Sequence, residues 1–169
     1  MELLLGCGNS RKKQITFPGV PNEWTQLTTL DFDPSADPHV LHDLNNITYP
    51  FDDEMFDEIH AYQVLEHCGH QGDWRFFFNQ FMEFHRILKP GGYFCATCPC
   101  WDSPWAWGDP GHTRIISPEA IHYLSQASYE QVGQTSMADY REWYKADFEP
   151  MSMSEYDNGQ SWAFVLRKI

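Results

Sequence analysis

The stretch Met1-Glu-Leu-Leu-Leu-Gly-Cys-Gly-Asn-Ser10 joins a short apolar run to two closely spaced glycines. The leucines at positions 3–5 are typical of a strand that is buried on both faces of a parallel sheet. Gly6 and Gly8 follow at once. Glycine adopts positive φ angles and has no Cβ, so a ligand can lie against the backbone there. The stretch therefore predicts a buried strand that ends in a ligand-binding turn.

Three more short strands are predicted, so that the first four strands end in turn at Gly6, Asp31, Asp43 and Tyr62. In an open α/β sheet the ligand crevice lies outside the carboxyl ends of the strands. We therefore expect these four residues to converge on one crevice. The three further strands are predicted over residues 27–33, 39–44 and 57–62.

Asp31 follows Gly8 by 31 − 8 = 23 positions. This is close to the spacing at which an acid on the second strand accepts hydrogen bonds from the ribose hydroxyls of a nucleotide held by the first turn. An isolated acid at a strand end is more often a turn former. Its combination with Gly6 and Gly8 favours a role in nucleotide binding.

The second half of the chain adds helices and further strands. Asp73 is a predicted N-cap, and aromatic residues at helical spacing predict a helix that Lys89-Pro-Gly-Gly92 ends. Ser117 followed by proline predicts the start of another helix. Strands are predicted over residues 93–98, 129–134 and 161–167. Residues 137–158 are interpreted as an insertion before the last strand, with a helix that contains Tyr140, Trp143, Tyr144 and Phe148.

Length and composition limit the class of protein. The length of 169 residues predicts one domain, residues 1–169, and no apolar run reaches the roughly 18 residues that span a bilayer. The first strand begins almost at Met1, and the five cysteines lack regular spacing. We therefore expect no signal peptide, reduced thiols and a cytoplasmic location.

The formal net charge of −13 argues against a broad nucleic-acid-binding surface, which needs clustered lysine and arginine. One short basic patch remains, formed by Arg11-Lys12-Lys13. We expect this patch to be a solvated loop.

Six motifs resemble, in order and approximate spacing, those of the class I S-adenosylmethionine-dependent methyltransferases, in their broad type 11 group. The set covers roughly residues 1–98 and is far more specific than any one motif. The motifs are Leu3-Leu-Leu-Gly-Cys-Gly8, Leu30-Asp-Phe-Asp-Pro34, His42-Asp-Leu44, Pro50-Phe-Asp-Asp-Glu-Met-Phe-Asp-Glu-Ile59, Val64-Leu-Glu-His67 and Arg86-Ile-Leu-Lys-Pro-Gly-Gly92.

This resemblance implies an α/β fold with a Rossmann-like, doubly wound sheet of seven strands, mostly parallel with an antiparallel last strand. It also implies methyltransferase activity with S-adenosylmethionine as the cofactor. By the same resemblance, the cofactor-binding residues are Gly6, Cys7 and Gly8 beside the methionyl part, Asp31 at the ribose hydroxyls, Asp43 with Leu44 at the adenine, and Tyr62 after the fourth strand.

Three departures from the family pattern affect the expected function. Ser10 stands where the family turn usually has a third glycine, and the helix that commonly precedes the first strand is absent. The resemblance therefore implies an open cofactor pocket, or one that a protein partner or a second copy covers. The Asn-Pro-Pro-aromatic signature of base methylation is missing, since Tyr62-Gln-Val-Leu follows the fourth strand. We expect a small-molecule acceptor and no nucleic-acid substrate.

Residues 101–116 leave the fifth strand on the crevice side and are the predicted acceptor-side loop. Its tryptophans Trp101, Trp105 and Trp107 can wall an apolar or planar acceptor, and Asp109 or His112 can accept a proton. We predict Asp109 and His112 as the catalytic residues. The alternative interpretation is a rigid lid whose tryptophans pack on the edge of the sheet.

Other functions are less well supported. Cys95 and Cys98 should point to opposite faces of a strand, so we expect free core thiols and no metal at these cysteines or at His67-Cys-Gly-His70. A nicotinamide dehydrogenase would need glycine where Arg11 stands. A methyltransferase-fold module that binds cofactor or a partner without transferring methyl remains the alternative.

Overall fold

A computed structural model describes residues 1–169, and its centre is a seven-stranded sheet in the order β3-β2-β1-β4-β5-β7-β6. The strands are β1 (Glu2–Leu5), β2 (Leu27–Asp31), β3 (Val40–Leu41), β4 (Phe56–Tyr62), β5 (Leu88–Pro99), β6 (Phe148–Tyr156) and β7 (Ser161–Lys168). The first five pair in parallel, and β7 runs antiparallel to both of its neighbours. The predicted fold class is therefore confirmed.

The helices are short except for one. They are α1 (Trp74–Ile87), α2 (Trp105–Gly108) and α3 (Pro118–His122), with 3-10 turns at Pro34–Ala36, Leu65–His67 and Gln126–Gln131. No helix has the length and apolar character that a bilayer span requires.

β1 is buried on both faces, as its leucines predict. Leu3, Leu4 and Leu5 are at most 2% exposed. Leu3 and Leu5 belong to the larger of two hydrophobic clusters, whereas Leu4 belongs to the smaller one. Since side chains alternate along a strand, the two clusters cover opposite faces of the sheet. Pairing with β2 on one side and β4 on the other makes β1 an inner strand.

α1 covers the face of the larger cluster. The carboxylate of Asp73 accepts a hydrogen bond from the Phe76 amide at 3.0 Å, which confirms the predicted N-cap. Phe84 stacks on Phe94 of β5 with ring centroids 4.6 Å apart. The helix leads directly into β5. Residues 89–92, predicted to end the helix, form a bulge opposite Asp57 within that strand.

Two predictions between β5 and β7 are wrong. Residues 129–134 do not form a strand, because the segment Gln126–Gln131 is a 3-10 turn whose Tyr129 is buried and donates to the Tyr123 carbonyl. The predicted helix around residues 140–148 is absent as well. Tyr140 and Tyr144 pack their rings against α1 from a turn, and Phe148 begins β6. β6 thus occupies residues 148–156 of the segment interpreted as an insertion.

The five cysteines are free thiols, and all are buried. Cys95 lies in the smaller cluster and Cys98 in the larger one, so their thiols point to opposite faces of β5 as predicted. The thiols of Cys95 and Cys98 therefore cannot coordinate the same metal ion from this strand.

We expect Phe81→Ala to lower the free energy of unfolding by about 3 to 5 kcal/mol, because truncating a buried ring leaves a cavity. Phe81 is 0% exposed and contacts Phe84 and Phe94. The control is Leu41→Ala on edge strand β3, which is 61% exposed and should change stability by less than about 0.5 kcal/mol. Urea unfolding followed by circular dichroism measures both. Equal losses would contradict the assignment of the core.

Candidate functional site

A cavity of about 510 Å³, which we call the turn cavity, lies at the carboxyl ends of β1, β2, β3 and β4. Four of the predicted cofactor-binding residues line it: Gly6, Asp31, Asp43 and Leu44. The full lining is Gly6, Asp31, Phe32, His42, Asp43, Leu44, Asn45, Val64, His67, Cys68 and Gly111.

Gly6 lines this cavity and Gly8 does not, although both glycines follow β1 in the same turn. Both have positive φ angles, 56° at Gly6 and 46° at Gly8. A Cβ on Gly6 would overlap the side chain of Val64, whereas a Cβ on Gly8 would meet open space. Position 6 therefore favours glycine for two reasons: the Val64 side chain leaves no room for a Cβ, and the backbone has a positive φ angle.

Asp31 ties the turn to β2. Its carboxylate accepts hydrogen bonds from the Gly8 amide at 2.8 Å and from the Asp33 amide at 2.9 Å, one on each oxygen. The residue is 6% exposed. Since each carboxylate oxygen has two lone pairs, each keeps one for the hydroxyl of a ligand. The geometry suits the predicted role at a ribose.

Asp43 also lines the turn cavity and is exposed. Its Oδ1 accepts from the amide and the side chain of Asn45 at 2.9 and 3.0 Å, which leaves Oδ2 free of hydrogen bonds within the protein. Leu44 is buried and forms an apolar part of the wall. Phe32, which the sequence analysis missed, also lines the cavity and is 72% exposed. An aromatic residue directly after Asp31 was the available signal.

Cys7 and Tyr62 do not line the turn cavity, so the structure gives their side chains no place in it. Both side chains belong to the smaller cluster on the opposite face of the sheet. The Tyr62 hydroxyl accepts from the amides of Gln14 and Ile15 and lies 2.6 Å from Nδ1 of His60. Burial raises the pKa of the Cys7 thiol, and only the Cys7 backbone lies at the turn.

The basic patch is not a solvated loop, because two of its three residues are used inside the fold. The guanidinium of Arg11 donates to the carbonyls of Gly8 and Ala36, which braces the turn. Lys13 Nζ lies 2.6 Å from a carboxylate oxygen of Glu58, and its side chain is 2% exposed. Only Lys12 remains an exposed cation.

A second cavity of about 510 Å³, the loop cavity, adjoins the turn cavity and shares His67 with it. The predicted catalytic residues Asp109 and His112 line it, as does Trp105. Trp101 instead packs edge-on against Trp162, and Trp107 is exposed and does not line the cavity. The full lining is Gln63, Glu66, His67, Pro99, Trp105, Gly108, Asp109, Pro110, His112, Asp157, Gln160 and Ser161.

Backbone hydrogen bonds fix the end of the acceptor-side loop against the 3-10 turn after β4. The amides of Thr113 and Arg114 donate to the Glu66 carbonyl at 2.9 and 3.3 Å. The guanidinium of Arg114, which is 4% exposed, donates to the Leu65 carbonyl at 2.9 Å. These contacts bring the two histidine rings together, with the centroids of His67 and His112 4.6 Å apart.

Both imidazoles are held in one tautomer. Nδ1 of His112 lies 2.9 Å from the Trp105 carbonyl, and Nδ1 of His67 lies 3.1 Å from the Gly111 carbonyl. A carbonyl oxygen only accepts, so each Nδ1 carries a hydrogen, and in the neutral ring the lone pair is therefore on Nε2. The carboxylate of Asp109 is 4.0 Å from Nε2 of His112, beyond hydrogen-bond distance.

Glu66 is a site residue that the sequence analysis missed. It is 2% exposed and lines the loop cavity, and neither carboxylate oxygen has a hydrogen-bond partner. Burial raises the pKa of the Glu66 carboxyl to about 7. The acid directly before His67 in the motif after the fourth strand was the available signal.

The sheet order with a reversed last strand, together with a glycine turn that faces a buried acid, defines the class I methyltransferase architecture. Comparison with protein families agrees: residues 3–96 match the model of the methyltransferase domain family. The chain therefore belongs to this family, whose methyl donor is S-adenosylmethionine. A search of curated proteins gave no match.

Solved methyltransferase structures share the fold at low sequence identity. One is an S-adenosylmethionine-dependent methyltransferase from Archaeoglobus fulgidus, with a TM-score of 0.58 and 14% identity over 99% of this chain and 85% of that one. A second is from the complex of the Haloferax volcanii Trm112 methyltransferase activator with the putative methyltransferase. Its TM-score is 0.61, with 13% identity over 99% of this chain and 81% of that one. A third is the N-methyltransferase NodS from Bradyrhizobium japonicum WM9 in complex with S-adenosyl-L-homocysteine. Its TM-score is 0.55, with 13% identity over 99% of this chain and 76% of that one.

We expect Gly6→Ala to destabilise the protein more than Gly8→Ala. A left-handed alanine costs about 1 to 2 kcal/mol at either position, and the overlap with Val64 adds about 1 to 3 kcal/mol at Gly6. Guanidinium unfolding of both variants measures the difference. Adding Val64→Ala to Gly6→Ala should remove part of the excess loss. Identical unfolding midpoints for the two single variants would show that the approach of Val64 is unimportant.

We expect Asp31→Asn to weaken binding of S-adenosylhomocysteine by about 10- to 150-fold, equivalent to about 1.5 to 3 kcal/mol for a lost charged hydrogen bond. The matched control is Asp33→Asn, because Asp33 caps the turn Pro34–Ala36 and asparagine caps equally well. The control should stay within about twofold of the wild type by titration calorimetry. Equal affinities of the two variants would remove Asp31 from the site.

Proposed function

We propose that this protein is an S-adenosylmethionine-dependent methyltransferase that binds the cofactor in the turn cavity and a small-molecule acceptor in the loop cavity. The observation that carries the proposal is the contact between the two cavities, which share His67 as a common wall residue. A methyl group held at the edge of the first cavity can face a nucleophile held in the second. Such an arrangement supports in-line transfer.

The residues of the turn cavity fit the cofactor. Asp31 retains lone pairs for two ribose hydroxyls, and Oδ2 of Asp43 is free to accept from the adenine amino group. The exposed ring of Phe32 and the side chain of Leu44 offer apolar surface for a planar base. When bound, S-adenosylmethionine supplies the methyl group as an electrophile. The protein itself has to align the acceptor and exclude water.

The loop cavity supplies the groups that these tasks need. Trp105 is 60% exposed at its rim and provides a large, stiff apolar wall. Asp109 and Nε2 of His112 are the candidates to accept a proton from an acceptor that carries one. A volume of about 510 Å³ is within the range of small-molecule sites, and the net charge of −13 disfavours nucleic acid.

The alternative function is a methyltransferase-fold module that binds cofactor or a protein partner without transferring methyl. The Haloferax volcanii complex of the Trm112 methyltransferase activator with the putative methyltransferase is an example of a protein of this fold that binds a protein partner. Release of S-adenosylhomocysteine with a panel of small hydroxyl, amine and thiol acceptors distinguishes the two functions. Cofactor binding without release for any acceptor would favour the module.

We expect Trp105→Ala to lower kcat/KM for the acceptor at least about tenfold, because a lost apolar contact of this size is worth about 1.5 kcal/mol or more. Affinity for S-adenosylhomocysteine should stay within about threefold, since Trp105 does not line the turn cavity. The matched control is Trp107→Ala on the same helix, 57% exposed and outside the loop cavity. Equal effects of the two substitutions on turnover would place the acceptor elsewhere.

A further inference from the structure

The wall between the two cavities carries ligand atoms of the kinds that hold metal ions. One ring nitrogen each of His67 and His112 and one carboxylate oxygen of Glu66 lie within 4.8 Å of one another. Nitrogen and oxygen ligands about 2.0 to 2.2 Å from a zinc ion lie roughly 3 to 4 Å apart. Small side-chain rotations would therefore bring the three groups to coordination distance.

Both imidazoles already make the outer hydrogen bond that a metal-binding histidine usually makes. A metal-binding histidine almost always donates its other ring N–H to a carboxylate, a backbone carbonyl or a water. Here Nδ1 of His67 donates to the Gly111 carbonyl and Nδ1 of His112 to the Trp105 carbonyl. The outer hydrogen bonds of a metal site are thus in place, and both Nε2 lone pairs are unused.

The carboxylate of Glu66 gives an independent indication of a cation. A buried carboxylate without a partner is costly, and proteins pair such groups or use them to bind metals. The nearby guanidinium of Arg114 does not serve Glu66, because it donates to the Leu65 carbonyl and to the side chain of Gln80. Neither oxygen of Glu66 makes a hydrogen bond of ordinary geometry, and the neighbouring Cys98 thiol is only a weak donor.

We propose that Glu66, His67 and His112 bind a divalent transition-metal ion, and that this ion holds an oxygen atom of the methyl acceptor. The first half stands on the geometry alone, and the second half rests on the proposed function. Two imidazoles and one carboxylate with open positions suit Zn²⁺, Fe²⁺, Co²⁺ or Mn²⁺. Ca²⁺ and Mg²⁺ prefer all-oxygen sites.

Glu66, His67 and His112 all line the loop cavity, so an ion held by these residues would be accessible to an acceptor bound there. A hydroxyl bound to a divalent metal is more acidic than in water. Because Nε2 of His112 binds the ion, it no longer accepts this proton, which passes instead to the carboxylate of Asp109 in the same cavity. The oxygen then forms a bond to the methyl carbon while the carbon–sulfur bond breaks and its electron pair stays on sulfur. The products are a methyl ether and S-adenosylhomocysteine.

Metal binding is tested on the full chain after chelator treatment and without cofactor. We expect titration with Co²⁺, followed by its visible absorption, and with Zn²⁺, followed by calorimetry, to show one saturable site. Glu66→Gln and His112→Ala should each lower the affinity at least about 100-fold, since loss of an outer hydrogen-bond partner alone costs about 10- to 100-fold. The matched control His122→Ala, on the exposed side of α3, should bind like the wild type.

Glu66→Gln keeps the shape of the side chain and removes a buried charge, so this variant should melt no lower than the metal-free wild type. Absence of a single saturable site, or wild-type affinity in both Glu66→Gln and His112→Ala, overturns the metal site. Affinity for S-adenosylhomocysteine should stay within about threefold in both variants, because neither residue lines the turn cavity.

Activity separates the two halves of the proposal. With a hydroxyl acceptor, we expect chelation to abolish release of S-adenosylhomocysteine and re-addition of the metal to restore it. Metal binding together with turnover that survives chelation overturns the role in acceptor binding and leaves the site intact. Metal binding without turnover on any acceptor overturns the proposed function instead.

Discussion

Burial of β1 on both faces of the sheet positions the other functional elements. The strand lies between β2 and β4, and its leucines belong to two clusters that cover opposite faces of the sheet. The chain must then leave the sheet at the edge where β2 and β4 also end. The glycine turn is stabilised there by the hydrogen bond from the Gly8 amide to Asp31 and by Arg11 on the Gly8 carbonyl.

A second constraint arises after β5. The amides of residues 113–114 pair with the Glu66 carbonyl, and buried Arg114 binds the Leu65 carbonyl. This attachment separates one opening at the carboxyl edge into the turn cavity and the loop cavity. The Arg114 guanidinium donates its hydrogen bonds to the Leu65 carbonyl and to the side-chain amide oxygen of Gln80. The carboxylate of Glu66 therefore stays buried without a partner, beside the histidines His67 and His112.

Strand alternation explains why the predicted cofactor residues separate into two groups. Gly6, Asp43 and Leu44 lie after the end of a strand and line the turn cavity. Asp31 and Tyr62 are each the last residue of a strand, so the pleat sets the direction of both side chains. The Asp31 carboxylate lines the turn cavity, whereas the Tyr62 ring lies in the smaller cluster. Periodicity in the sequence identifies such a strand but does not state which face meets the ligand.

The sequence by itself determined the central strand, the glycine turn, the cap of α1 by Asp73 and the family, because each depends on contacts between residues near in the chain or on an ordered set of motifs. Only the tertiary structure decided that residues 148–156 form β6, that Trp101 packs against Trp162 while Trp105 lines a cavity, and that Glu66 lies beside His112. These outcomes depend on packing between segments distant in sequence. Local propensity carries no information about such packing, since the same aromatic spacing fits a helix or a turn packed against one.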